Sequence, residues 1–233
     1  MDRQFIETMQ SQLSEHRVLN AQTYIKKLEG NLNDSLQFED LKYEGYAALV
    51  LRCCGFQVEM RDSPDLCLRL DADRLYAEVK HFRRKVQDDH DQNRMEKAPP
   101  ELLVDYGKVD AWQKVFEDIK DKVREYNKEQ PFIIIIGSSS EHGIEDYEIE
   151  RAVNYAQKPK ARSDHPELEK LNGILFFSAE TRLGDGGREV YFYPMSPAKS
   201  PLPASVDKRL KSITHWKCFA YSIAAKIRNS DQS

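Results

Sequence analysis

Two acidic residues and a lysine have the types and spacing needed to bind a metal ion beside a phosphodiester. Asp65 follows Pro64, and Glu78, Val79 and Lys80 come a short distance further along the chain. Mg²⁺ prefers oxygen ligands and usually binds through one or two carboxylates, water and substrate phosphate. Such a metal can polarise a phosphoryl oxygen and activate water, while a lysine supplies a compact positive charge. These residue types therefore fit the hydrolysis of a phosphodiester.

The elements that must position these residues are two neighbouring strands. Apolar and polar side chains alternate over residues 65–70 and 75–82, and alternation of this kind predicts half-buried β-strands. Because successive side chains point to opposite faces, Asp65, Glu78 and Lys80 fall on the polar faces. A four-residue loop, 71–74, places Asp65 opposite Lys80. A two-residue loop, 71–72, places it opposite Glu78, and both registers gather the three groups on one face.

A third carboxylate is predicted to point toward the same strands from a helix. The helix covers residues 34–54, and Glu44 lies on its apolar stripe, together with Leu41, Ala48 and Leu51. Burying a carboxylate without a partner is costly, so we expect a metal ion or another cation near Glu44. If the helix is rotated, Glu39 is the alternative acid.

This arrangement resembles the PD-(D/E)xK phosphodiesterase superfamily, which has the restriction-endonuclease-like fold. The shared features are a helix with an inward Glu, a strand, a strand that opens with Pro-Asp, and a strand that ends with Glu-x-Lys. The resemblance covers roughly residues 35–137 and implies an α/β fold with an αβββαβ core and a mixed central sheet. It implies Asp65, Glu78 and Val79 as metal ligands, Lys80 as the group that orients or activates water, and Glu44 as an auxiliary acid.

We therefore expect a nuclease that hydrolyses phosphodiester bonds with Mg²⁺ or Mn²⁺ as its cofactor. We expect DNA in preference to RNA because DNA is the usual substrate of the family that the chain resembles. The sequence itself contains no base-reading motif that supports this preference. The alternative is a non-catalytic nucleic-acid-binding or assembly subunit with a nuclease-like fold. A third interpretation is an unrelated α/β protein in which these acids are surface residues without a catalytic role. Arg83, Arg84 and Lys85 follow the second strand and are either phosphate contacts or a solvated charge run.

We expect a single domain, 1–233, with a catalytic core at 34–137. The residues before and after the core are expected to form additions to it. Residues 1–33 form a helical extension, and residues 138–233 form an α/β elaboration with a hairpin at 173–178 and 189–193. Within the core we expect a helix at 108–128 and a strand, 131–137, that is buried on both faces. Residues 86–107 are charged, contain two adjacent prolines and predict an excursion or lid.

Composition narrows the classes of protein that remain. A net charge of −4 argues against a strongly basic, non-specific nucleic-acid binder. The sequence contains no apolar run of the ~18 residues that would span a membrane and no signal-peptide pattern at its start, so we expect a cytoplasmic protein. The four cysteines do not have the spacing of a zinc site. A homodimer or a partner protein is left open.

Overall fold

The computed structural model describes residues 2–82, 111–138, 144, 146–178 and 190–213. Within these ranges it is an α/β protein with one six-stranded mixed sheet and seven α-helices. The strands are β1 (Gln57–Met60), β2 (Leu66–Leu70), β3 (Asp73–Phe82), β4 (Phe132–Ser138), β5 (Leu171–Ser178) and β6 (Val190–Pro194). The helices are α1 (Asp2–Glu15), α2 (Ala21–Gly30), α3 (Ser35–Cys53), α4 (Ala111–Glu125), α5 (Asp146–Ala156), α6 (Pro159–Asp164) and α7 (Ala204–Lys211), with a 3₁₀ helix at Pro166–Lys170.

The sheet follows the order of the chain, β1-β2-β3-β4-β5-β6. The first three strands are antiparallel, β3, β4 and β5 are parallel, and β6 returns antiparallel to β5. Leu70 pairs with Asp73 and Leu66 pairs with Ala77, so the β2–β3 turn contains two residues. Of the two even loop lengths that the pattern allowed, the shorter one is therefore confirmed.

Each face of the sheet is covered by its own hydrophobic core. One core joins α1, α2, α3 and α7 to the sheet, and the other joins α4, α5 and the 3₁₀ helix. The side chains of β4 enter both cores in alternation: Ile133 and Ile135 point into the first, while Ile134 and Ile136 point into the second. The prediction of a strand buried on both faces is confirmed.

The predicted order of elements is observed over the central part of the chain. The helix α3 begins at an N-cap, Asp34, whose carboxylate accepts hydrogen bonds from the backbone N–H groups of Leu36 and Gln37. It ends before Gly55, whose φ of +93° is a conformation that glycine adopts without a steric penalty. Three strands, α4 and β4 then follow.

Several predictions from the sequence fall partly or wholly outside the described residues. The N-terminal extension contains two helices, and β5 and β6 form the expected antiparallel pair. The predicted lid at 86–107 and the basic residues Arg83, Arg84 and Lys85 lie outside the described ranges. Of the helices that are described, none is both long enough and apolar enough to cross a membrane.

Candidate active site

Asp65 is positioned by the end of a strand ladder. The pairing of β2 with β3 reaches Leu66 and Ala77, and β3 continues beyond it. The backbone N–H of Val79 donates a hydrogen bond to Oδ2 of Asp65 over 2.7 Å. Asp65 is 7% exposed, so this carboxylate is held beside β3 and largely away from water, adjacent to Glu78.

Glu44 approaches the same region from α3. The predicted apolar stripe is confirmed, because Leu41, Ala48 and Leu51 are buried together with Glu44. The side chain of Glu39, the alternative acid, is 46% exposed and forms an ion pair with Lys42 on its own helix. The inward carboxylate of α3 is therefore that of Glu44.

The cation that a buried glutamate requires is a lysine from α2. Nζ of Lys27 lies 3.2 Å from both carboxylate oxygens of Glu44. The sequence predicted a cation or a metal ion at this place without identifying it. The lysine lies on a different helix, and its pairing with Glu44 depends on how α2 packs against α3.

The pKa values of two of these acids, Asp65 and Glu44, are raised, chiefly by burial. Burial raises the pKa of Asp65 well above its usual value, and the charges of Glu44 and Glu78 raise it further, against the hydrogen bond from Val79. Burial also raises the pKa of Glu44, which Lys27 opposes and to which Glu78 adds. Glu44, Asp65 and Glu78 therefore form one electrostatically coupled group, which we call the carboxylate triad.

Two lysines lie near the triad, Lys122 on α4 and Lys80 on β3. Nζ of Lys122 lies 2.7 Å from Oε1 of Glu78. Burial lowers the pKa of Lys122, but the hydrogen bond and charge of Glu78 outweigh it and the pKa is raised. Lys80 lies on the same strand as Glu78, and its ammonium group lies 3.5 Å from Oδ2 of Asp118. The structure thus brings the three acids together and pairs Lys80 with an acid of α4.

The oxygen donors here suit a hard divalent cation. Among the described side chains, no three His, Cys, Asp or Glu residues form a group that could hold a metal ion. Mg²⁺, however, needs only one or two carboxylates together with water and phosphate, and Asp65 and Glu78 provide two. An extended residue directs its N–H and C=O to the same side, so the carbonyl of Val79 faces the side on which its N–H meets Asp65. These donors fit the implied metal ion.

A polar cavity opens beside the triad. It has a volume of about 370 Å³ and is lined by α2 and by the segment that joins β1 to β2. Lys27 and Glu44 lie on its wall, together with Asn20, Arg61 and Ser63. Ligand pockets typically begin at ~300 Å³, so the cavity has room for water and for part of a substrate next to Glu44.

His81 lies on the opposite face of β3 from its neighbour Lys80. Its Nδ1 is 3.1 Å from Oδ1 of Asp40, and its ring stacks on Tyr43 with a centroid distance of 3.8 Å. His81 is buried, so it contributes to the packing between α3 and β3, as expected from the alternation of the strand.

None of the protein-family models, curated proteins or solved structures with which we compared the chain matches it.

Proposed function

We propose that this protein is a metal-dependent nuclease with a restriction-endonuclease-like core, which hydrolyses phosphodiester bonds of nucleic acid, DNA in preference to RNA. The observation that carries the proposal is the carboxylate triad. Two of its members, Glu44 and Asp65, have raised pKa values because they are buried near other acids. Proteins seldom retain such a costly arrangement for stability alone, and clustered groups with perturbed pKa values are characteristic of functional sites.

Each residue of the site has a role in the proposed reaction. Asp65, Glu78 and the carbonyl of Val79 would hold Mg²⁺ or Mn²⁺, which polarises the phosphoryl oxygen and lowers the pKa of water when bound. Lys80, on the strand that carries Glu78, would orient or activate the attacking water. Glu44 would act as the auxiliary acid and hold water in the polar cavity that it lines.

A second function is favoured by one specific observation. Lys27 and Lys122 already bind carboxylates of the triad, and a lysine that remains there would compensate the charge without any metal ion. A protein that keeps these ion pairs would be a non-catalytic nucleic-acid-binding or assembly subunit. The two functions differ in whether a divalent cation can compete with Lys122 for Glu78.

The test is a cleavage assay on plasmid, linear duplex and single-stranded DNA and on RNA, with Mn²⁺ or with EDTA. We expect metal-dependent cleavage by the wild type, no cleavage by Asp65→Ala or Glu78→Ala, and a loss of roughly 10²–10³-fold for Lys80→Ala, by analogy with the removal of one donor from an oxyanion site. Asp73→Ala, at the far end of the same strand, is the matched control and should retain activity. Cleavage retained by all three site variants would refute the proposal.

A further inference from the structure

Lysine side chains lie along the face of β3 that carries Glu78. Tyr76, Glu78, Lys80 and Phe82 alternate along this strand, and α4 packs against the same face. Nζ of Lys128 lies 4.3 Å from the ring centroid of Tyr76, and Nζ of Lys122 lies 2.7 Å from Glu78.

The series of ammonium groups continues to the end of the strand. Lys80 belongs to β3 itself and lies 3.5 Å from Asp118 of α4. Nζ of Lys114 lies 5.9 Å from the ring centroid of Phe82. We call Lys114, Lys80, Lys122 and Lys128 the lysine row. It passes directly beside the carboxylate triad.

The dimensions of the lysine row match a nucleic-acid strand. Tyr76 and Phe82 are six residues apart on β3, which corresponds to about 20 Å of extended chain. One strand of B-DNA advances about 3.4 Å per phosphate, so the row has the length of about six phosphates. On α4, Lys114 and Lys122 are two turns apart, or roughly 12 Å, which corresponds to about three phosphates.

The charges of the row also favour a polyanion. In the part of the chain that the structure describes, Lys80 lies against Asp118 and Lys122 lies against Glu78 and Glu125, in a protein whose net charge is −4. An ammonium group carries three N–H donors, so a lysine that bonds one carboxylate oxygen can still donate to a phosphate. The row thus offsets the repulsion that the triad would exert on an approaching phosphodiester.

We propose that the lysine row binds the sugar–phosphate backbone of a nucleic-acid strand and directs it across the carboxylate triad. This inference rests on the proposed function, because it identifies the surface by which the substrate would reach that site. Its contacts are to phosphate, so binding through the row carries no sequence information.

The experiment measures binding without cleavage, using the full chain in EDTA and fluorescently labelled oligonucleotides of about 16 nucleotides. Single-stranded DNA, duplex DNA and RNA are the three arms, and each is titrated between about 50 and 200 mM salt. The variant is Lys114→Gln with Lys128→Gln, which leaves every residue of the proposed catalytic site in place. Lys42→Gln is the matched control, because Lys42 also lies over a phenylalanine ring but on α3, across the sheet.

We expect the double variant to bind more weakly, with a slope of log K against log salt that is smaller by about 1.4–1.8, corresponding to two lost phosphate contacts. The control should bind like the wild type, and circular dichroism should show that both variants are folded. Unchanged affinity and slope in the double variant would overturn the inference, as would absence of binding by the wild type. Binding that depends on these lysines, without metal-dependent cleavage, would support the binding role of the lysine row and refute the proposed nuclease activity. Metal-dependent cleavage together with binding that does not depend on these lysines would support the nuclease activity and refute the role of the lysine row.

Discussion

At the scale of single residues, the site concentrates unfavourable charge at Asp65. Its pKa is raised chiefly by burial and then by Glu44 and Glu78. A carboxyl whose folded-state pKa is raised binds its proton more tightly in the folded than in the unfolded protein. The resulting penalty is absent below the unfolded pKa of about 3.9, grows as the pH rises toward the folded pKa, and is complete above it. The raised pKa of Asp65 therefore lowers the free energy of unfolding at neutral pH.

Asp65→Asn should for this reason stabilise the protein while abolishing cleavage. Asparagine keeps an oxygen that can accept the hydrogen bond from the N–H of Val79 but carries no charge. We expect the melting temperature to rise at about pH 7 by roughly 2–4 °C for each kcal/mol recovered, and to rise less at about pH 4, where more of the wild-type carboxyl is protonated. Calorimetry at both values measures this. Asp62→Asn, an exposed acid in the same loop, is the control, and a lower melting temperature for Asp65→Asn at neutral pH would contradict the argument.

The pair formed by Lys27 and Glu44 has the opposite effect on stability. Removing the ammonium group leaves a buried carboxylate without its cation. Since the lysine side chain is 34% exposed, water screens part of the interaction, and we expect Lys27→Met to cost about 1–2 kcal/mol. Urea unfolding of Lys27→Met, Glu44→Gln and the double variant measures the coupling. If the pair contributes as described, the double variant is more stable than the sum of the single effects predicts; strict additivity would refute it.

At the scale of the elements, the helix α3 is fixed against the sheet by an aromatic contact next to a glycine. Tyr43 stacks on His81, which pairs with Gly137 of β4. A Cβ atom added at Gly137 would lie 2.1 Å from Cδ1 of Tyr43. The glycine is therefore needed because the tyrosine ring occupies the space of a side chain. Glu44 is the next residue along α3 and depends on the same packing for its position.

Gly137→Ala should therefore move Tyr43 and destabilise the protein by about 1–3 kcal/mol, the usual cost of overpacking a core. The measurements are chemical unfolding and the tyrosine signal in the near-ultraviolet circular dichroism spectrum. Gly30→Ala is the matched control, because a Cβ atom there meets nothing within 4 Å, and its stability should be close to that of the wild type. Equal stability of the two variants would show that the ring relocates without cost.

The elements also show which parts of the site could be predicted from sequence. Alternation placed Glu78 and Lys80 on one face of β3, and helical spacing placed Glu44 inward, because both patterns depend on local geometry. The pattern allowed two lengths for the β2–β3 loop, since both keep the leucines on one face. Lys27 could not be identified, because its contact with Glu44 joins two helices through tertiary packing and α2 carries several polar residues.

At the scale of the whole molecule, metal binding and folding are linked if the proposed function is correct. A ligand that binds the folded state alone stabilises it by about 2.7 kcal/mol at one hundred times its dissociation constant. For a chain of 233 residues this corresponds to a rise of about 5–10 °C in melting temperature. The rise should be large here, because a divalent cation also relieves the repulsion that raises the pKa of Asp65.

Mn²⁺ should accordingly raise the melting temperature of the wild type and of Asp73→Asn, but not that of Asp65→Asn or Glu78→Gln. Differential scanning fluorimetry across a metal titration, with EDTA as the reference, measures the shift without any substrate. A shift that depends on both acids would identify them as metal ligands even if no polymer is cleaved, and would direct the search toward the substrate. If the melting temperature of the wild type does not change at millimolar Mn²⁺, the metal ion does not displace Lys122 from its ion pair with Glu78. The protein would then act through its charged surface and not by metal-dependent hydrolysis.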